Sequence, residues 1–414
     1  MIHKFSQNTI TLIFLTLLIF YLYAKFLLSS FSTIPETDEV VTITTFLDYR
    51  TILLKYIPNN HVLTSTLGMI TSYLFGVNLI LLRRISLIFL LLIFISINAN
   101  FRNSNLVILI LLVFSFDSFL IDYSFLFRGY IISSFLFVLI FFKLVEVDKN
   151  INFIKGILFL SSLLLIHNLS NAYLIIPILI VIFKKLIKNN ELKYSLYFII
   201  PTIIFFSISI FITGLYLNKE LILSDNIYSL FNFKNIYNLI YKGTISIFFP
   251  QTGAVSIIGN LSELITIFEN NLLLSFVIFL SLLKSIINVI RGPKIADYTV
   301  IFFFIIFFLI NKVPPERIFL NFSFFLILYI FYNLKIKKIL EKKIFVFLSL
   351  IIITFNFYNH NFFSKKIHLI EFNLIKKFKN INCDLKLKSY NEFDYHYFYY
   401  KYLNDCKKKP DIFK

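Results

Sequence analysis

The chain has 414 residues, of which 58% are hydrophobic and only 15% charged, with a formal net charge of +18. Charge this sparse excludes a soluble globule, whose surface it cannot coat, and fits loops between membrane spans. Most lysines fall between apolar runs, where they orient spans, so nucleic acid is not expected as a partner.

Thr9 to Leu28 is the first apolar run. It has about the length that crosses ~30 Å of hydrocarbon and no small-residue cleavage site follows, so it is expected to remain as a first span. A polar loop, 29–75, comes next and carries the adjacent carboxylates Asp38 and Glu39 in "PETDEVVT". Further runs lie at 76–98, 106–125, 131–145, 152–166, 172–186, 195–216, 271–290, 296–311, 317–333 and 343–358, with weaker stretches at 61–75 and 244–258. The expected fold is an all-α polytopic membrane protein of about eleven transmembrane helices over residues 1–358. Residues 359–414 form a polar tail holding both cysteines, Cys383 and Cys406. They close a disulfide in an oxidising compartment or remain two thiols elsewhere.

Whether 61–75 crosses the membrane decides the side of every later loop. The segment Lys184, Lys185, Lys188, Lys193 and the segment Lys335, Lys337, Lys338, Lys342, Lys343 are both cytoplasmic only if it does not. The stretch 61–75 is therefore expected to lie along the outer surface as a juxtamembrane helix. Val62, Leu63, Leu67, Ile70 and Leu74 would form one face, with Asn60 and His61 capping its start. Loop 29–75, Arg128, His167 and 311–317 then fall outside, and Arg102, Lys149, Lys155, Arg291 and Lys294 inside. The tail is placed outside, in the periplasm, against its own lysines, because long tails obey the charge rule weakly.

With sides assigned, the unusual polar residues gather on the outer face, among them Glu36, Asp38, Glu39, Asp48, Arg50, Asn59, Asn60, His61, Asp122, Arg128, Tyr130, His167, Asn168, Glu316 and Arg317. Ionisable groups at the membrane boundary are costly and tend to be paired or functional. Adjacent residues point apart, so one of Asp38 and Glu39 faces a substrate. Partial desolvation would raise its proton affinity and suit it to act as a general base, where the plain alternative is a solvated acidic loop. Arg128 in "DYSFLFRGY" has the planar donors to grip a phosphate, with Tyr130 beside it; the plain alternative is an arginine snorkelling to the interface. In "NKVPPERIFLNF" two prolines precede Glu316 and Arg317, and Arg317 is a second cation for one phosphate or a cap for the following helix. No Cys/His spacing suggests a dedicated transition-metal site, and no glycine-rich loop suggests a nucleotide. No cofactor is assigned, and a divalent cation bridging Asp38 and a donor phosphate stays open.

These pieces resemble the membrane-embedded GT-C glycosyltransferases related to protein O-mannosyltransferases and the lipid A aminoarabinose transferase, a glycosyltransferase family 39-like group. The matching pieces are the external Asp38 and Glu39 after the first helix, "NNHVL…LFG" at 59–76, "RGY" at 128–130 and "PPER" at 314–317. The resemblance covers the first half of the membrane region and one later loop. It implies a GT-C-like bundle in a bacterial inner membrane, with its site facing the periplasm. The donor would be a polyprenyl-phosphate-linked sugar, the acceptor a lipid, glycan or protein, and membrane lipids the surroundings. By similarity Asp38, or less readily Glu39, activates the acceptor. Arg128, Tyr130 and Arg317 hold the donor phosphate, and Asn60, His61 and His167 position substrate. A lipid-linked sugar flippase and an O-antigen polymerase or ligase-like enzyme are the competing readings. A transporter would carry charge in its helix centres, whereas here charge gathers at one face.

Overall fold

In hydrocarbon no water is available to backbone N–H and C=O groups, and a helix satisfies them within one segment. The computed structural model describes residues 39, 42–43, 61–76, 79–101, 106–107, 109–111, 126–217, 236–238, 240–242, 272–310 and 316–333, without the side chains of 272–276, 307–310 and 316–320. Among these residues every regular element is helical. They are α1 (Val62–Phe75), α2 (Leu79–Asn100), α3 (Tyr130–Glu146), α4 (Phe153–His167), α5 (Ala172–Lys188), α6 (Leu196–Leu217), α7 (Leu272–Arg291), α8 (Ile295–Ile310) and α9 (Glu316–Asn333). Short 3₁₀ turns at Leu169–Asn171 and Leu192–Ser195 lead into α5 and α6. The boundaries follow the apolar runs closely: 131–145 becomes Tyr130–Glu146 and 271–290 becomes Leu272–Arg291.

Among the described residues, three helices are long and apolar enough to cross a membrane: Leu79–Asn100 with 22 residues, Leu169–Lys188 with 20 and Leu192–Leu215 with 24. At 1.5 Å per residue the first reaches about 33 Å, just beyond the hydrocarbon thickness. That count is lower than the one expected from hydropathy. The runs 9–28, 244–258 and 343–358, most of 106–125 and the tail lie outside the described residues. Helix α1 has only 14 residues, about 21 Å, less than the hydrocarbon thickness. It ends at Gly76, whose φ of 77° turns the chain toward α2. Its start, at His61, Val62, Thr64 and Ser65, is buried, while Tyr73, Leu74 and Phe75 at its end are exposed.

Helix α3 is the centre of the bundle and packs against α2, α4, α8 and α9. Its Ile131, Val138, Ile140, Phe141 and Leu144 are fully enclosed, as are the small Ser133 and Ser134, which let neighbouring helices approach closely. Phe101 meets Phe142, while Ser86 reaches Leu126, so α2 and α3 run the same way. Ser134 meets Asn321 and Phe141 meets Tyr332, so α9 runs with them. Helix α4 runs opposite, with Lys143 over Phe153 at one end and Gly129 against His167 at the other.

The bundle thus has two polar ends. One holds Glu39, His61, Arg83, the segment 126–130, Asn168, Asn171 and Asn321. The other holds Asp148, Lys185, Asn288, Lys294 and Asp297, joined by Lys185 to Asp148 at 2.7 Å and Ile295 N–H to Asp148 at 3.4 Å. Segments that the lysine rule places on one side of the membrane therefore meet at one end.

Candidate functional site

The first polar end is built around Glu39. Its carboxylate is fully buried, as is Arg83 on the second turn of α2. Arg83 donates twice, from Nε to Oε1 at 3.0 Å and from Nη2 to Oε2 at 2.6 Å. A bidentate fork satisfies both partners and is the geometry in which a buried ion pair is tolerable. Glu39 Oε1 also accepts the Phe127 backbone N–H at 2.6 Å. One turn further along α2, Ser86 Oγ donates to the Leu126 carbonyl at 2.7 Å. The strand of chain leading into α3 is thus tied to α2 by one carboxylate and one hydroxyl.

Held this way, Arg128 points inward and is 1% exposed. Its Nη1 donates to Thr42 Oγ1 at 3.2 Å and its Nη2 to the Tyr130 hydroxyl at 3.3 Å. The guanidinium carbon lies 5.6 Å from the centre of the Tyr130 ring. A desolvated guanidinium anchored from several sides is not a snorkelling arginine, whose head group would sit in water.

Tyr130 meets His61 edge-on at 4.9 Å between ring centres, and His61 meets His167 at 5.4 Å. Asn168 Nδ2 donates to His61 Nδ1 at 3.2 Å. His61 occupies the N-cap position of α1, yet its side chain makes no capping hydrogen bond. The capping acceptor comes from elsewhere: the Leu63 N–H donates to His167 Nδ1 at 3.2 Å. That imidazole meets one of the orphan donors that every helix start leaves open. With Nδ1 accepting, the proton sits on Nε2, which donates to the Gly129 carbonyl at 2.9 Å. The partners assign this tautomer, and both ring nitrogens of His167 are engaged with backbone.

Gly129 makes the packing of the two histidines feasible. A Cβ there would lie 2.3 Å from His61 Nδ1 and 2.5 Å from His167 Nε2. Below them a buried network joins two helices and a 3₁₀ turn. Ser134 Oγ meets Asn321 Oδ1 at 2.7 Å, Asn321 Nδ2 meets Asn171 Oδ1 at 3.4 Å, and Asn171 Nδ2 donates to Ser133 Oγ at 3.2 Å. Asn171 also donates to the Leu164 carbonyl at 3.1 Å.

The structure therefore brings Glu39, His61, Arg128, Tyr130 and His167 to one end of the bundle. Asp38 and Asn60 lie outside the described residues, each next in sequence to one that is described. Arg317 is in the first turn of α9, whose Asn321 reaches this end, and its side chain is outside the described set. Cys383 and Cys406 are likewise outside it. Arg83, Thr42, Asn171, Ser134 and Asn321 belong to the site without having been singled out for it. Arg83 carried a signal, since an ionisable residue in an apolar helix needs a partner. Among the described residues, no group of three His, Cys, Asp or Glu side chains is placed to hold a metal ion. Chemically, with Arg83 committed to Glu39 and both His167 nitrogens engaged with backbone, the end presents the Arg128 guanidinium, the Tyr130 phenol and the His61 imidazole, a set suited to an anionic oxygen ligand.

No family model, no curated protein and no solved structure matches the chain.

Proposed function

We propose that this chain is a membrane glycosyltransferase of the GT-C type, moving a sugar from a polyprenyl-phosphate donor to a lipid, glycan or protein acceptor. In this reading about eleven helices span a bacterial inner membrane, α1 lies along its outer surface, and the Glu39–Arg128–His61 end faces the periplasm. The observation that carries the proposal is the convergence of buried Arg83 and Arg128, His61 and His167 at the end opposite the lysines. Nucleotide sugars are cytoplasmic, so chemistry at that end calls for a donor already carried by lipid.

Each residue then has a distinct task. Glu39 is committed to Arg83 and to the Phe127 amide, so it positions Arg128, and the base is its neighbour Asp38. Asp38 takes the proton from the acceptor hydroxyl or amine as the new bond to the anomeric carbon forms. The lipid phosphate leaves with the electrons of the old bond. Arg128 and Arg317 neutralise the charge that grows on that leaving phosphate, with the Tyr130 hydroxyl fixing the Arg128 plane. His61, Asn60 and, through its hold on α1, His167 shape the sugar and acceptor pocket.

The test is sugar transfer in membranes supplied with polyprenyl-phosphate sugars and extracted acceptor glycans. Asp38→Asn is expected to lower the rate by about 10²–10⁴-fold, the usual contribution of a general base. Arg128→Lys keeps charge but loses the fork, and donor affinity should fall about 10- to 100-fold, equivalent to ~1.5–3 kcal/mol. Undiminished transfer in both variants would overturn the proposal. Movement of intact lipid-linked sugar across vesicles, without transfer, would establish the flippase reading instead.

A further inference from the structure

The opposite end of the bundle carries a groove that sugar transfer leaves unused. It encloses about 580 Å³ between the α3–α4 turn, the last turns of α5 and the start of α8. Its mouth is basic, with Lys149, Lys184, Lys185 and Lys188, against the single carboxylate of Asp148. Its inner wall is apolar, formed by Val181, Ile295, Tyr298 and Phe302.

Two of the four ammonium groups are accounted for within the protein. Lys149 pairs with Glu146 and Lys185 with Asp148, each at 2.7 Å. Lys184 sits 5.7 Å from the Tyr298 ring centre, and neither it nor Lys188 joins an ion pair among the described residues. They stand one helical turn apart on α5, where like charges repel. An anion between them removes that repulsion. A free inorganic anion would use the lysines and leave the wall bare, whereas an amphiphile uses both. Lysine also suits a mobile headgroup, since its ammonium is a point charge on a flexible stem.

We infer that this groove binds the phosphate headgroup of an anionic membrane phospholipid, with an acyl chain laid along the half-buried rings of Tyr298 and Phe302. Basic pockets between helices on the cytoplasmic side are the recurring form of such sites. The site is independent of the transferase reading and stands or falls separately from it.

The full chain in neutral detergent is titrated with short-chain phosphatidylglycerol, with phosphatidylcholine and inorganic phosphate in parallel, and bound lipid is counted by native mass spectrometry. The wild-type protein should retain phosphatidylglycerol selectively. The exposed pair K184Q/K188Q should weaken that binding about thirtyfold, the loss expected for two lysines facing a headgroup. K155Q is the control, because Lys155 packs on Tyr194 and Tyr197 outside the groove. It should bind as the wild type does. Three results would each overturn the inference: unchanged affinity in K184Q/K188Q, an equal loss in K155Q, or displacement of the lipid by equimolar phosphate.

Discussion

Glu39 shows how a single side chain organises this protein. Its carboxylate receives two hydrogen bonds from Arg83 and one from the Phe127 amide, so it fixes both a helix and the turn that aims Arg128. Removing one member of a buried pair leaves the other charge stranded, at a cost of about 3–5 kcal/mol. Glu39→Gln should therefore lower the thermal unfolding midpoint in detergent sharply. The double variant Glu39→Gln/Arg83→Gln should recover most of that loss, because no charge is left unpaired. A double variant as unstable as the single one would mean that the Phe127 contact, not the ion pair, carries the stability. The same residue explains a division of labour between neighbours. Under the proposed function, the commitment of Glu39 to Arg83 and to the Phe127 amide assigns the base to its neighbour Asp38.

At the scale of elements, helix packing here uses small polar groups in addition to apolar area. The Ser133, Ser134, Asn171 and Asn321 network joins α3, the turn before α5, and α9. In a membrane such bonds contribute about 0.6–1.7 kcal/mol, because the separated helices also find partners. Asn321→Leu is expected to lower stability by that amount, read by thermal unfolding, while leaving helix content by circular dichroism unchanged. The helices themselves were legible in the sequence because each apolar run is bounded by polar or turn residues: Gly129 precedes α3, and Asn189 and Asn190 follow α5. What joins them was not. The Ser134–Asn321 pairing spans 187 residues, and no local pattern encodes it. Likewise His61 was expected to cap α1, and His167 supplies the acceptor instead, 104 residues away. The polar residues at the site were visible one by one, and their partners were visible only in three dimensions.

For the whole molecule, the two ends differ in chemistry. One is rich in arginine, histidine and asparagine, and the other in lysine and aspartate, with Asp297 held by Tyr329, by Asn288 at 2.8 Å and by the Lys294 N–H at 2.8 Å. In the proposed topology the lysine end faces the cytoplasm, as the positive-inside rule expects. In a cysteine-free background, a cysteine at exposed Asn190 should react with a membrane-impermeant thiol reagent only after spheroplasts are opened. One at exposed Gly76 should react in intact spheroplasts. The reverse pattern would invert the topology and, with it, the side on which transfer is proposed.

The reach of His167 to Leu63 also sets an order in time. The helix that begins at Val62 is made early, but the imidazole that meets its first turn is made 104 residues later. At ~5–20 residues per second, α1 waits roughly 5–20 seconds for its acceptor. The asparagine that ties α9 to Ser134 arrives later still. The wall of the site is consequently completed only when α9, from the second half of the chain, reaches residues laid down in the first.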